Sequence, residues 1–379
     1  MRKISSGVIS VMIMMVMLCG SAYADIVYLT DSGALGRIST FDADSADLRG
    51  TQYTTSWNDP FLGSYWNGSR SRVILVDRNT DKTTSGDTAL IFDPSDLSSP
   101  IEAKRTVLNG VYSAQAMAGS DNGRAVFFAS EQSIHEFSTS DFSLTRSYTY
   151  IPKTSEDITA EITELITGTN VIYVLVKQDI SSDIVLGFDG QLREDVSGSF
   201  QRKPLLYETS AISWLNGTRV AAGHEYGVDV WNDNRGFLGV LSTDAPVKAV
   251  CQDSGSGFYF IEQSEAEDTY TTTLKHYDSR EGVSTLFMNT EGRICRFVRD
   301  KDNGIIAAIV GDELLLYRMD SGILIGEYDS SELGGIPVQI AASVVTGKDN
   351  KSSNGCSVAG MGMLLILAAG CMFLKRYGI

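Results

Sequence analysis

One unit recurs along this chain from Asp25 to Val345, and it constrains the fold more than any other feature. The unit opens with an apolar strand signal, passes a turn, runs into a second strand that ends near an aromatic residue, and turns again through Asp, Ser or Gly. Its clearest copies are VAAGHEYGVDVWNDNRGFLGVL from Val220 and IIAAIVGDELLLYRMDSGILIGEY from Ile305. Looser copies read RVILVDRN…TALIFDPSDL, RAVFFASEQSIHEFSTSDFSLTRSY and VIYVLVKQDISSDIVLGFDGQL. Aligned, they place one aromatic in each unit: Phe41, Phe92, Phe137, Phe188, Trp231, Tyr277 and Tyr317. Six intervals cover 276 residues, about 46 each.

A further strand signal, closed by a tight turn, precedes most units. The turns are Asn67-Gly68-Ser69, Asp121-Asn122-Gly123, Gly168-Thr169-Asn170, Asn216-Gly217-Thr218, Gly255-Ser256-Gly257 and Asp302-Asn303-Gly304. Asn-Gly and Asp-Gly pairs accept the positive φ that short hairpins demand. The best helical candidate is ITAEITELI, Ile158 to Ile166, which fits a strand equally well. Four strands every 46 residues is the period of a β-propeller blade. The expected fold is therefore all-β, a propeller of seven blades, with six or eight also compatible with the period, over residues 25–346. The array begins on a lone strand at Ile26 and ends on an unmatched one, IPVQIAASVV from Ile336. Closure of the ring by pairing those two strands would cover both open edges. The string VDVWNDNRGFLGVLSTDAPVKAV resembles blades of the WD-repeat-like and YVTN-like propellers of exported bacterial proteins. The WD dipeptide and the quinoprotein docking motif are both missing.

The two ends carry targeting signals. Arg2 and Lys3 precede an apolar run from Val8 to Leu18, and Ala22-Tyr23-Ala24 fits small-x-small cleavage, so residues 1–24 are expected to be a signal peptide cut after Ala24. An uncleaved anchor is the other reading. At the far end, residues 347–356 form a Gly/Ser/Asn linker ending in Gly355-Cys356. An 18-residue uncharged run follows over 357–374, then a basic tail over 375–379. At about 1.5 Å per residue such a helix reaches ~27 Å, enough for one membrane span. Lys375 and Arg376 favour a cytoplasmic C-terminus. The motif GCSVAGMG with its helix and basic end resembles the Synergist-type C-terminal sorting domain. The resemblance implies an intramembrane sorting protease as a partner, with Gly355 and Cys356 as the processing residues. The chain departs from that family in carrying only two basic residues in its tail. A plain C-terminal span is the competing interpretation.

Charge narrows the partners. The chain has 47 acidic and 31 basic residues. All the acids and 27 of the bases lie between the two apolar ends, a net −20 that disfavours nucleic acid and anionic lipid. Only Cys251 and Cys295 lie in the propeller region, so a disulfide-built scaffold is excluded, and two separate thiols are expected.

No sequence motif announces chemistry. His135, His224 and His276 fall in different units without ligand spacing and are expected to be strand residues. GxSxG, SxxK and P-loop strings are lacking. Asp42, Asp44 and Asp47, and likewise Asp77, Asn79 and Asp81, imitate calcium loops. The second string has Lys82 and Thr88 where such a loop needs Gly and a bidentate Glu. No catalytic residue, metal or cofactor is assigned. The connections between units are the expected binding surface. Trp57, Asp59, Asp157, Asp244 and Arg293 are the candidate ligand residues there, facing a protein or carbohydrate. The expectation is an exported, membrane- or surface-anchored binding module of the cell envelope. The alternatives are an envelope lyase or hydrolase with polar residues converging on a central channel, and an assembly protein.

Overall fold

The computed structural model describes residues 26–31, 36–41, 48–55, 60–78, 85–94, 106–120, 122–151, 160–168, 171–179, 182–189, 203–205, 207–215, 219–232, 236–253, 257–266, 269–289, 294–300, 304–319 and 321–342. The proposed signal peptide, linker, Gly355-Cys356 pair and membrane helix lie outside them. Among the described residues no helix is long and apolar enough to cross a membrane.

The strands form seven four-stranded antiparallel sheets. The chain opens with β1 (Ile26–Asp31), β2 (Gly36–Phe41) and β3 (Leu48–Thr55). A complete sheet follows from β4 (Pro60–Trp66), β5 (Ser71–Asp77), β6 (Gly86–Phe92) and β7 (Thr106–Asn109). The next holds β8 (Ala116–Gly119), β9 (Ala125–Ser130), β10 (Ser133–Ser138) and β11 (Leu144–Thr149). Then come β12 (Glu161–Gly168), β13 (Val171–Lys177), β14 (Ile184–Asp189) and β15 (Lys203–Pro204). The fifth sheet has β16 (Thr209–Trp214), β17 (Arg219–His224), β18 (Gly227–Asn232) and β19 (Gly236–Ser242). The sixth has β20 (Val247–Gln252), β21 (Phe258–Ala266), β22 (Thr269–Asp278) and β23 (Gly282–Asn289). The seventh has β24 (Ile294–Asp300), β25 (Ile305–Val310), β26 (Glu313–Arg318) and β27 (Leu324–Tyr328). The last strand, β28 (Ile336–Ala342), returns to the first sheet and pairs with β1, Tyr28 opposite Ile340. The order there is β28-β1-β2-β3. The terminal pairing expected from the unmatched end strands is thus present.

The repeat explains this arrangement. The second strands carry the longest apolar runs, such as VILV in β5, VFFA in β9 and all of β25. They are buried on both faces, because each sheet is packed between two others. Seven apolar clusters link successive sheets. Val27 and Leu29 pack with Leu75 and Phe92, and Tyr65 and Ile74 with Phe128 and Phe137. Phe127 and Ile134 meet Ile172 and Leu186; Tyr173 and Leu175 meet Ile212 and Val220. Ala221 and Val228 pack with Phe258 and Phe260, Tyr259 and Ile261 with Ile306. The last cluster joins Ile305 and Leu316 to Tyr28 and Ile340 and so links the end of the array to its start. The protein is a β-propeller. Each aromatic of the 46-residue repeat stands on the third strand of its sheet, at Phe41, Phe92, Phe137, Phe188, Trp231, Tyr277 and Tyr317.

Two local features depart from the sequence pattern. ITAEITELI is a strand from Glu161 onward, and a bulge between Ile162 and Glu164 resets its register. Burial therefore falls on Ile162, Leu165 and Gly168, three apart. That spacing is what made the segment look helical. A single helical turn, α1 (Ser330–Leu333), precedes β28. Asp329 accepts from the amides of Ser331 and Glu332, and Glu332 reaches back to the Asp329 amide. The string D-S-S-E is that capping box, legible in the sequence but not singled out.

Candidate functional site

Antiparallel order fixes which loops share a face. The connection from the fourth strand of one sheet to the first of the next emerges at the same end as the turn between second and third strands. The predicted ligand residues occupy such connections. Asp244 is described: its side chain is exposed, with one carboxylate oxygen 3.8 Å from Lys275 Nζ. Trp57, Asp59, Asp157 and Arg293 lie outside the described residues, in the segments leading into β4, β12 and β24.

The first strands stand innermost in their sheets, where an enzyme of this architecture would gather its groups. Several polar groups on or beside these strands are bonded to neighbouring sheets. Ser64 Oγ donates to the Ala342 carbonyl at 2.5 Å, and Thr167 Oγ1 to that of Gly119 at 2.7 Å. The Ile212 amide donates to Glu164 Oε2 at 2.6 Å. Ser210 donates to the Val247 carbonyl, and Gln115 to Glu161. Burial raises the Glu161 carboxyl above its ordinary range, assisted by the negative charge of Glu131. No group of three or more His, Cys, Asp or Glu side chains suited to a metal ion occurs among the described residues. Asp77 of the second calcium-like string ends β5 opposite Thr88; Asn79, Asp81 and Lys82 lie outside the described residues.

The three histidines are strand residues, on β10, β17 and β22. One of them anchors a polar-aromatic group on the connection face. His224 ends β17 and is 2% exposed. Its Nε2 lies 3.2 Å from Asp229 Oδ1, also buried. Its Nδ1 accepts from the Tyr226 amide at 3.1 Å, so the proton sits on Nε2 and points at the carboxylate. Tyr207, from the segment entering β16, stacks on the imidazole at 4.7 Å and 22°. Tyr226, at the β17–β18 turn, meets Tyr207 at 4.8 Å and 63° and stands 6.5 Å from His224.

Both tyrosines are open to solvent, Tyr207 at 37% and Tyr226 at 55%. The turn depends on Gly227, at φ +151°, where a Cβ would collide with the Leu241 carbonyl. Next to the ring group, Lys177 Nζ lies 2.9 Å from Asp183 Oδ2 and 3.6 Å from the exposed Glu208. Asp183 also accepts from the Thr209 amide at 2.7 Å, tying the Tyr207 segment to the neighbouring sheet. Glu225 hydrogen-bonds the Tyr226 hydroxyl, and its charge, the larger effect, raises that hydroxyl's pKa above its ordinary value.

Neither Tyr207 nor Tyr226 was singled out from the sequence. They are 19 residues apart, and only the β16–β17 hairpin brings them together. The available signal was HEYG, a tyrosine at the tip of a two-residue turn followed by a positive-φ glycine.

No protein-family model and no curated protein sequence matches this chain. Solved structures do resemble it. A Bacteroides fragilis protein provisionally assigned as a 6-phosphogluconolactonase superposes with a TM-score of 0.58 at 11% identity, over 86% of this chain and 99% of the other. A functionally unknown protein from Desulfotomaculum acetoxidans gives 0.59 at 14% identity, over 84% and 98%. Hydrazine synthase of Kuenenia stuttgartiensis gives 0.53 at 12% identity, over 72% and 80%. At these identities the likeness defines the fold and nothing finer.

Proposed function

We propose that this chain is an exported, seven-bladed propeller, tethered to the cell envelope by its C-terminal helix, that binds a ligand at its connection face. The pair of exposed tyrosines, backed by a buried His–Asp pair, is the observation that carries this. Large rings held in place by stacking and edge contacts yet left open to water fit a recognition surface better than a packing core. Polar groups on or beside the inner strands support the same reading, because those of Ser64, Gln115, Glu164, Thr167 and Ser210 are already engaged between sheets.

A photoreactive phenylalanine analogue tests the binding role in intact cells. Placed at Tyr226, it should give discrete adducts. Placed at Val283, exposed on the outermost strand of the sixth sheet, it should not. Equal labelling at both positions, or no adduct at 226, overturns the reading. Export and anchoring have their own test. The intact mass of protein from the envelope should begin at Asp25 and, if the tail is a processed sorting signal, end near Gly355 or Cys356. Retention of Ser357 to Ile379 would remove the processing step and its intramembrane protease while leaving a membrane span. Retention of residues 1–24 would remove the cleaved signal.

A further inference from the structure

The three ring separations, 4.7, 4.8 and 6.5 Å, make a nearly right-angled triangle with its corner at Tyr207. His224 therefore covers one face of Tyr207, and Tyr226 stands to its side. Tyr207 keeps 37% of its surface open to solvent, with Tyr226 beside it. An aromatic face carries a negative quadrupole. Around this corner the fixed charges are also mainly negative. Glu225 bonds the Tyr226 hydroxyl, and Glu208 is adjacent in sequence to Tyr207 and almost fully exposed. Lys177 stands nearby, but its closest partner is the buried Asp183 at 2.9 Å. Glu225, by its charge and then its hydrogen bond, raises the pKa of the Tyr226 hydroxyl above its ordinary value.

We infer that the Tyr207–Tyr226 corner is a subsite for an organic cation, an ammonium group held against two ring faces with Glu225 and Glu208 at its rim. A neutral sugar would use the ring faces and leave Glu225 without a counter-charge, Glu208 having Lys177 at 3.6 Å. An anion would meet both. The strongly acidic balance of the chain favours the same ligand sign at longer range. The inference names the ligand class of the proposed binding face and so rests on that reading. The ammonium could belong to a small quaternary ammonium compound or to a basic side chain of a partner.

Calorimetric titration of the full-length chain in a neutral detergent tests the assignment. The probes are choline, its uncharged isostere 3,3-dimethylbutan-1-ol, a trilysine peptide and a neutral disaccharide. Choline or trilysine should bind, and the isostere should bind at least about fivefold more weakly. Tyr207→Leu and Tyr226→Leu should each weaken cation binding about threefold to tenfold, as expected for a cation–π contact. Tyr226→Phe should stay near the original affinity. Glu225→Gln should weaken binding and flatten its salt dependence. Preference for choline over trilysine, or the reverse, identifies the source of the ammonium.

Circular dichroism of the leucine variants controls for folding, and since Tyr226 is exposed, that variant keeps the test usable should Tyr207→Leu misfold. Equal affinity for choline and its isostere, unchanged affinity in both leucine variants, or tyrosine-dependent binding of the disaccharide alone would overturn the inference. If cations fail to bind while adducts still form at position 226, the ligand class is wrong and the binding face stands. If cations bind and no adduct forms in cells, the subsite stands and the envelope binding role falls.

Discussion

Two histidine clusters in this molecule share their chemistry and differ in their setting. On the connection face, His224 hydrogen-bonds Asp229 and stacks on Tyr207. Beside the turn between β20 and β21, at the other end of the sheets, His276 hydrogen-bonds Asp253 at 3.0 Å and stacks on Tyr259 at 4.5 Å. In the second cluster every group is committed to the scaffold. Asp253 also accepts the Gly257 amide on both oxygens at 3.1 Å. The Tyr259 hydroxyl donates to the Met319 carbonyl of the next sheet at 3.0 Å, and its ring is buried. In the first cluster the histidine and carboxylate are more deeply buried, the His224 side chain at 2% exposure against 23% for His276, but the tyrosines on top are open. A His–Asp–Tyr group is thus not in itself a site. Exposure of its aromatic member is what separates a surface for ligands from a brace between sheets.

The largest effect should come from opening the ring that frames both clusters. Ending the chain at Gly335 removes β28, leaves β1 with an unpaired edge and strips Ile340 and Ala341 from two inter-sheet cores. Exposed edges template aggregation. The shortened protein should aggregate or yield to limited proteolysis from its first sheet inward. A melting temperature equal to that of the whole chain would show that β28 does not close the fold.

Asp253→Ala ranks next. It leaves the Gly257 amide and His276 without their acceptor in a buried site, at a cost of about 2–4 kcal/mol. Denaturant unfolding should show this as a lowered midpoint. Cation binding at the connection face should be unchanged, because the two clusters share no residue. A loss of binding in this variant would mean that the clusters are coupled and would break the contrast.

Hydroxyl deletion gives a finer cut. Tyr259→Phe loses a buried inter-sheet hydrogen bond and should destabilise by about 1 kcal/mol. Tyr226→Phe loses a solvent-exposed bond to Glu225 and should stay within about 0.5 kcal/mol of the parent. Comparable losses from the two would mean that Tyr226 braces the fold as Tyr259 does.

The sequence made the scaffold legible because a propeller repeats its physics. Second strands buried on both sides must be continuously apolar. The third-strand aromatic recurs because each sheet faces the same neighbour geometry, and the spare strands at the two ends leave little choice but to pair. Register irregularities were not legible. The bulge in β12 imitates a helical period, since the extra residue shifts Leu165 to the buried side. The site was mostly hidden. The connection segments could be named as a surface from turn chemistry, and Asp244 does stand exposed there. Tyr207 and Tyr226 acquire meaning only through a stack and an edge contact made across a hairpin. The same holds for His224 and His276, whose partners Asp229 and Asp253 lie five residues ahead and 23 behind. No spacing rule distinguishes the open cluster from the closed one.

The third histidine supplies the smallest and sharpest test. His135, on β10, is buried as His224 is, but its Nδ1 partner is the Ser147 hydroxyl at 2.9 Å. Burial lowers its pKa below the ordinary histidine value of 6.5. The sign follows from linkage. Below about pH 6.5 the unfolded chain takes up a proton that the folded chain refuses, so stability falls as pH drops through that value and goes on falling until the folded-state pKa is reached. Glu136, next along the strand, works the other way. Burial raises its pKa, with Arg146 partly offsetting the shift, so its contribution is present at low pH and is lost as pH rises through the folded value. His135→Gln keeps a polar partner for Ser147 and removes the titrating group while leaving Glu136 in place. Thermal melts at pH 7.5 and 5.5 should therefore show a smaller acid-induced drop in the variant than in the parent. An identical drop would mean that the acid sensitivity comes from elsewhere.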